Sequence, residues 1–418
     1  MSTTPGPAAA LDAVVREEWG RLTALLLARY RRLDLVEDAL GDAVESAAKA
    51  WLADGVPANP SAWLLTAARR RVLDQLRHES VRERTRPVLV ADARLDQEGA
   101  RTMADPGDVT DPVEDDLLRL VLMCTHPALA REGASALALR LVLGVRTPDI
   151  ARLFLVTEPT MAARITRAKR RIAGAGIPFA VPGADVLPER LDGVAQTGYL
   201  AFTAGYVPGT GADLVRAELA GEAVRLVRVV LGLRPDEPVL LALLALMLFQ
   251  HSRRDARVQD RRLVLLPDQD RGRWHHSEIA EARRLLGHPK LAGPLTPQAA
   301  AYTLQARIAA EHALPAAAGD TDWSAVTRLY DVLLQVAPTP GARLARAVAV
   351  AEEHGPVAGL AALEGIEIAT SHRVDSVRAE LLRRAGENDS ARAAYDQAIA
   401  ACGNDVEREH LTRMRGSL

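Results

Sequence analysis

Cysteine is nearly absent from this 418-residue chain: Cys124 and Cys402 are the only two. Two thiols cannot build a disulfide framework or a multi-cysteine zinc site, and they fit a reducing compartment. Aromatic residues are also scarce, at 4%, which disfavours β-sandwiches and barrels, since those lean on aromatic and β-branched side chains. Long apolar runs are missing. The longest, residues 239–249, has 11 residues, whereas a membrane span needs about 20. Residues 1–10 carry neither a basic region nor an apolar core, so no signal peptide is expected. The expected location is cytoplasmic. Lysine is rare too: Lys49, Lys169 and Lys290 are the only ones among 52 basic residues. Codon bias produces such an arginine excess, so it carries no functional weight. The formal net charge is −2, a total that argues against a simple basic nucleic-acid binder.

Enzyme signatures are absent as well. No glycine-rich phosphate loop, no G-x-S-x-G elbow and no nucleophile with a matching base is visible. Asp268, Asp270, His275 and His276 form the one cluster resembling a metal site, but adjacent histidines do not share a helix face and their loop is arginine-rich. The expectation is a non-enzyme with no metal and no cofactor.

What the chain has is helical periodicity. The hydrophobic fraction is 48%, ample for buried cores. Residues 1–10 read as a disordered tail. Val15, Trp19, Leu22, Leu25 and Leu26 fall on one helical face. A second helix follows over residues 34–52, with Leu35, Ala39, Val44, Ala47 and Trp51 on one side and acids on the other. Asn59-Pro60 opens a third. Residues 87–116 hold Arg94 and Arg101 against nine acids and three prolines, and read as a flexible acidic linker. Helical pattern resumes at Leu117 and ends near Gly174, Gly176 and Pro178. Residues 185–418 are again Ala/Leu-rich and helical, with loop-like interruptions near residues 253–274 and 315–320. Segments 379–398 and 323–353 follow a tetratricopeptide-like spacing, which any antiparallel helical array resembles. The fold class is therefore all-α.

The strongest constellation lies in residues 146–173. Thr147 can cap one helix and Thr157 a second, with Pro148 and Pro159 in their first turns. A three- to four-residue turn between short helices is the spacing of a DNA-binding helix-turn-helix. In the second helix Met161, Ile165, Ala168 and Ile172 share an inward face. Arg164, Arg167 and Arg171 share another, flanked by Lys169 and Arg170, with no acid from Pro159 to Ala173. Such a helix suits phosphates and base edges in a major groove. A second basic stretch, residues 63–86, sets Arg69, Arg70, Arg71, Arg77, Arg82, Arg84 and Arg86 against three acids, with Trp63 and His78 interleaved, a pattern for unstacked bases. The acidic helix bearing Asp34, Glu37, Asp38, Asp42 and Glu45 suits a protein partner with a basic docking surface. In each case a solvated helix face is the plainer alternative.

The order acidic helix, NPSAWLLTAARRRVLDQLR (residues 59–77), acidic linker and helix-turn-helix resembles the extracytoplasmic-function group of sigma-70-type RNA polymerase sigma factors, over about residues 10–178. Cys124-Thr125-His126-Pro127 and Gly176-Ile177-Pro178-Phe179 belong to the same match. The remainder resembles a subgroup with a long C-terminal helical extension, through Phe202-Thr203-Ala204-Gly205-Tyr206, residues 214–219, Leu265-Leu266-Pro267-Asp268-Gln269-Asp270-Arg271 with Trp274, and Asp320-Thr321-Asp322-Trp323. The chain departs from that subgroup at Thr203-Ala204 and at Thr125. The resemblance implies a region-two domain (residues 11–86), the linker (87–116), a region-four domain (117–178) and a tetratricopeptide-like extension (179–418). It implies that Asp34, Glu37, Asp38, Asp42 and Glu45 dock on the β′ clamp helices of core RNA polymerase. Trp63, Arg69, Arg70, Arg71 and Arg77 would bind and open the minus-10 element. Thr160, Arg164, Arg167, Lys169 and Arg171 would read the minus-35 element, with region four also touching the β flap.

The expected partners are thus core RNA polymerase, promoter DNA and a regulatory protein through the extension. The extension either regulates the sigma core in cis or only braces it. The alternative for the whole chain is a stand-alone helix-turn-helix regulator with a helical protein-binding domain.

Overall fold

A computed structural model describes residues 6–83, 112–206, 217–259, 262–368 and 371–418. Apart from one two-stranded ribbon and short 3-10 turns, the regular structure of these residues is α-helical. The all-α expectation therefore holds. No described helix is long and apolar enough to cross a membrane. The chain divides into two compact units. One comprises Met1–Arg146 with Arg164–Leu187, the other Thr147–Ala163 with Pro188–Leu418.

The first unit opens on α1 (Pro7–Tyr30), α2 (Leu33–Asp54) and α3 (Pro60–Glu83). Helix α1 begins inside the expected tail, because Pro7 occupies its first turn and Ala8-Ala9-Ala10 are strong helix formers. The three helices share a core containing Trp19, Leu22, Leu26, Val36, Leu40, Trp51, Leu64 and Val72. Each such large side chain contributes roughly 1.5–3 kcal/mol on burial. Asp34, Asp38, Asp42 and Glu45 of α2 are exposed, opposite its apolar stripe, whereas Glu37 is buried.

Helices α4 (Pro112–Cys124) and α5 (Arg131–Leu143) pack on α1. Residues 87–111 of the expected linker lie outside the described residues. Residues 112–116 are not linker but the first turns of α4, where Pro112 and the acids Glu114, Asp115 and Asp116 suit a helix N-terminus. Residues 133–139 and 141–143 of α5 are all buried. Its approach to α1 is close: a Cβ on Gly20 would strike the Val142 carbonyl oxygen, and Gly144, at φ +72°, lies under the Trp19 ring. Among the described residues, 11–83 and 117–146 fall in one compact unit.

In the second unit come α6 (Thr147–Leu153) and the start of α7 (Glu158–Gly174), whose later turns belong to the first unit. Then follow α8 (Leu187–Tyr206), α9 (Ala217–Leu233) and α10 (Pro238–His251). Residues 239–249, the longest apolar run, are buried on every side of α10. A helix apolar all round must be enclosed, and α9, α11 (His276–Leu286) and α12 (Pro297–Ala313) enclose it. Residues 207–216, including the Leu214-Val215-Arg216 part of the resemblance, lie outside the described residues.

The expected interruption at 253–274 is a tethered loop. Strand β1 (Val258–Gln259) pairs antiparallel with β2 (Arg262–Leu263). Arg271 donates to the carbonyls of His312 (3.1 Å) and Pro315 (2.8 Å) and stacks 4.4 Å from the Trp274 ring centroid. Helical hairpins complete the unit: α13 (Trp323–Val336), α14 (Pro340–His354), α15 (Pro356–Ala362), α16 (Arg373–Arg384), α17 (Asn388–Ala401) and α18 (Asp405–Gly416). Side-chain caps fix several starts, among them Asp322 on Ala325 N (2.8 Å) and Thr339 on Ala342 N (3.1 Å).

Candidate functional site

The helix-turn-helix signal rests on a cap, a turn and a two-faced helix. Four residues, Phe154 to Thr157, separate α6 from α7. Leu155 takes a left-handed conformation (φ 54°) to make the turn. Thr157 Oγ1 then accepts from Thr160 N at 3.4 Å and lies 2.8 Å from Thr160 Oγ1, so the hydroxyl at 157 caps α7. Along α7, Met161, Ile165, Ala168 and Ile172 are all buried. Thr160, Arg167, Arg170 and Arg171 are exposed. The inward and outward faces are those the spacing predicts.

Two of the expected DNA-facing cations are otherwise engaged. Arg164 pairs with Glu132 at the start of α5. Lys169 is in ion-pair contact with Glu37 of α2, and Arg140 of α5 donates from Nε to the other oxygen of that carboxylate at 2.8 Å. Glu37 is buried, its side chain only 9% exposed. It is the exception among the five acids expected to face a partner: it points inward and ties α2 to α5 and α7. The reason is electrostatic. Burial works to raise the Glu37 carboxyl, but the Lys169 and Arg140 cations overcome it and hold it below the ordinary value. Arg171 also donates to the Ala128 carbonyl at 3.4 Å while remaining exposed.

The other acids of α2 lie outward. Asp34 receives a two-pronged bond from Arg32 (3.1 and 2.9 Å), which lowers its pKa, and Arg32 reaches on to Glu79 of α3 (3.3 Å). Asp38 is exposed, yet partial burial and the neighbouring Glu37 charge push its pKa up. Asp42 is exposed. Glu45 pairs with Lys49 at 2.7 Å.

On α3, Arg70, Arg71 and Arg77 are exposed, and Arg77 pairs with Asp74 at 3.0 Å. Arg69 is half-buried. Trp63 packs edge-on against Trp51, with centroids 5.9 Å apart, so much of its ring serves the core rather than a stacking platform. The side chains of Arg82, Arg84 and Arg86 lie outside the described residues.

Sequence reasoning missed Arg140 and Glu132. A signal for Arg140 existed: it is the one charge inside the apolar stretch 133–143, and a buried cation needs a counter-ion. The cluster Asp268, Asp270, His275 and His276 does not converge. Asp270 caps Gly272 N (2.9 Å), while His275 pairs with Asp255 (2.7 Å).

Residues 190–290, which span α8 to α11, match a family model described as a family of unknown function (DUF6596). Over 392 residues the chain is 40% identical to an uncharacterized protein of Rhizobium meliloti (strain 1021), a match taking in 92% of this chain and 90% of that one. No solved structure matches.

Proposed function

The chain belongs to one family with that Rhizobium meliloti protein, and we propose that it is a sigma-type subunit that directs core RNA polymerase to promoters from the cytoplasm. The observation that carries this reading is α7: a capped helix after a four-residue turn, its apolar face buried and Thr160, Arg167 and Arg171 turned outward. In this reading α7 enters the major groove of the minus-35 element. The exposed Arg70, Arg71 and Arg77 of α3 act on the minus-10 element. Asp34, Asp38, Asp42 and Glu45 meet the polymerase clamp, with no catalytic chemistry of the chain's own. The extension, residues 179–418, read as tetratricopeptide-like, regulates the sigma core in cis or receives a protein.

The ion-pair network adds a condition. With Lys169 on Glu37 and Arg164 on Glu132, two groove-facing cations are neutralised within the chain. The described arrangement is a resting one in this reading, and DNA must compete with Glu37 for Lys169.

The test is capture of core RNA polymerase by the full-length protein, followed by promoter-dependent transcription. A stable complex is expected, weakened by charge reversal at Asp38 and Asp42. Replacing Arg167 by alanine should cost roughly 1–3 kcal/mol in promoter discrimination. Failure to bind the polymerase, with duplex DNA still bound, would shift the reading to a stand-alone helix-turn-helix regulator.

A further inference from the structure

Far along the chain from α7, three side chains of different chemistry meet around one nitrogen. His372 directly precedes α16, Cys402 directly follows α17, and Glu407 lies in the first turn of α18. Nε2 of His372 lies 3.0 Å from Glu407 Oε2 and 3.8 Å from Cys402 Sγ. One donor atom from each of the three lies within 4.8 Å of the other two. An ion pair accounts for the imidazole and the carboxylate. The thiol donates to the Asn404 carbonyl at 3.4 Å, and its sulfur also faces the same imidazole nitrogen.

The donors are held in place. Asn404 Oδ1 accepts from Val406 N and Glu407 N, both at 3.0 Å, which fixes the turn from Cys402 into α18. Arg408 donates to the Cys402 carbonyl from two nitrogens, at 3.2 and 2.7 Å. The His372 carbonyl accepts from Ser376 Oγ at 2.9 Å. Cys402 is buried in a small core with Tyr395 and Leu411, whereas His372 and Glu407 line a cavity of about 1020 Å³.

We propose that His372, Cys402 and Glu407 form a binding site for one zinc-class divalent cation, with a fourth position open to that cavity. Zinc takes thiolate sulfur at about 2.3 Å and nitrogen or oxygen at about 2.0–2.2 Å in a tetrahedron, which sets ligand atoms about 3.5 Å apart. The observed separations of 3.0 and 3.8 Å straddle that value. A thiolate with an imidazole selects zinc over magnesium or calcium, which prefer oxygen alone. Three protein ligands and an open face leave room for a water or for a donor group of a molecule in the cavity. Sequence spacing gave no hint of the site, because His372 stands 30 residues from Cys402 and no CxxC or HxxxH pattern is present.

The test uses the untagged full-length protein, reduced with a phosphine and stripped by chelator. Zinc is titrated against a chromogenic competitor, and cobalt is used as a spectroscopic substitute. One equivalent of zinc is expected to bind, and Cys402→Ser and Glu407→Gln should each weaken it at least 10-fold. Cys124→Ser, which alters the other buried thiol, should leave it unchanged. Cobalt should give a thiolate-to-metal charge-transfer band in the unaltered protein, a readout that needs no variant to fold. Absence of that band, or zinc affinity that survives Cys402→Ser, overturns the proposal.

Discussion

Two glutamates, Glu37 buried in the first unit and Glu278 half-buried in the second, each hold two nitrogen-bearing partners, and they do so in opposite ways. Glu278 on α11 meets Arg254 at 2.8 Å and His251 at 3.1 Å, only 24 and 27 residues back along the chain. Glu37 on α2 meets Arg140, 103 residues on, and Lys169 beyond it. The Glu278 centre closes the short stretch that follows α10, so forming it costs little loop entropy. The Glu37 centre uses one acid expected to face a partner and one cation expected to face DNA. A local centre of this kind belongs to the fold. Under the proposed function, a long-range centre made of otherwise employable charges is one side of an equilibrium, and that is the contrast to test.

The sharpest break in the comparison is Glu278→Gln. Glu278 and Arg254 are each 17% exposed and His251 9%, so the change strands a half-buried arginine that also donates to the His251 carbonyl (3.0 Å) and to His275 (3.1 Å). Removing one member of a buried pair costs about 3–4 kcal/mol. Denaturant unfolding should show that loss, with polymerase and promoter binding unchanged at temperatures where the variant is folded. A loss under about 1 kcal/mol would mean that the centre is structurally idle.

Glu37→Gln should cost less, about 2–3 kcal/mol, because Lys169 and Arg140 keep 27% and 22% of their side chains in solvent. Its second effect separates the two centres. Lys169 is released, so affinity for promoter duplex should rise and its dependence on salt should steepen by about one phosphate contact. Binding that falls, with the variant folded, would show Glu37 to be needed in the bound state and would end the resting-state reading.

Acid is the gentler probe. Both carboxyls are held below the ordinary glutamate value of 4.5, despite burial that works the other way: Glu37 by Lys169 and Arg140, Glu278 by His251 and Arg254. Depressed values mean stability that is fully present above pH 4.5 and lost as pH falls through the folded-state values. Asp38 opposes this, since burial and Glu37 raise its pKa and its protonation relieves repulsion. The acid limb of the unfolding curve should therefore shrink in Glu37→Gln, while the part owed to Glu278 remains. An unchanged acid limb in both variants would exclude the two centres as its source.

The sequence made one kind of feature legible and hid another. Periodicity marks α1 to α3 and the inward face of α7, because each is written in residues three and four apart, whereas α10 shows only as an unbroken apolar run. The cap at Thr157 was legible for the same reason. The partners of Glu37, Arg164 and His372 were not, since they come from helices far apart in the chain and no local spacing encodes them. The start of α4 was misread because Pro112 and three acids look like linker, although the same residues suit a helix N-terminus. A lone tryptophan among arginines reads as a base-stacking group; the fold adds that Trp63 is half-buried with Trp51 edge-on beside it, a contact no local spacing encodes.

The smallest effect belongs to the pair that resembles the Glu37 centre least. Arg164 lies on α7 only five residues before Lys169 and is engaged by Glu132, but Glu132 is 54% exposed. Exposed pairs are worth about 0–1 kcal/mol because water and salt compete for both charges. Glu132→Ala should therefore change stability by less than about 0.5 kcal/mol and release Arg164 at almost no cost. Promoter affinity should rise only slightly, since Arg164, 26% exposed, gives up a solvent-exposed carboxylate more readily than Lys169 gives up a buried one. A gain as large as that from Glu37→Gln would show that burial does not distinguish the two pairs. The restraint on α7 would then lie in its total charge rather than in the one carboxylate shut away beneath it.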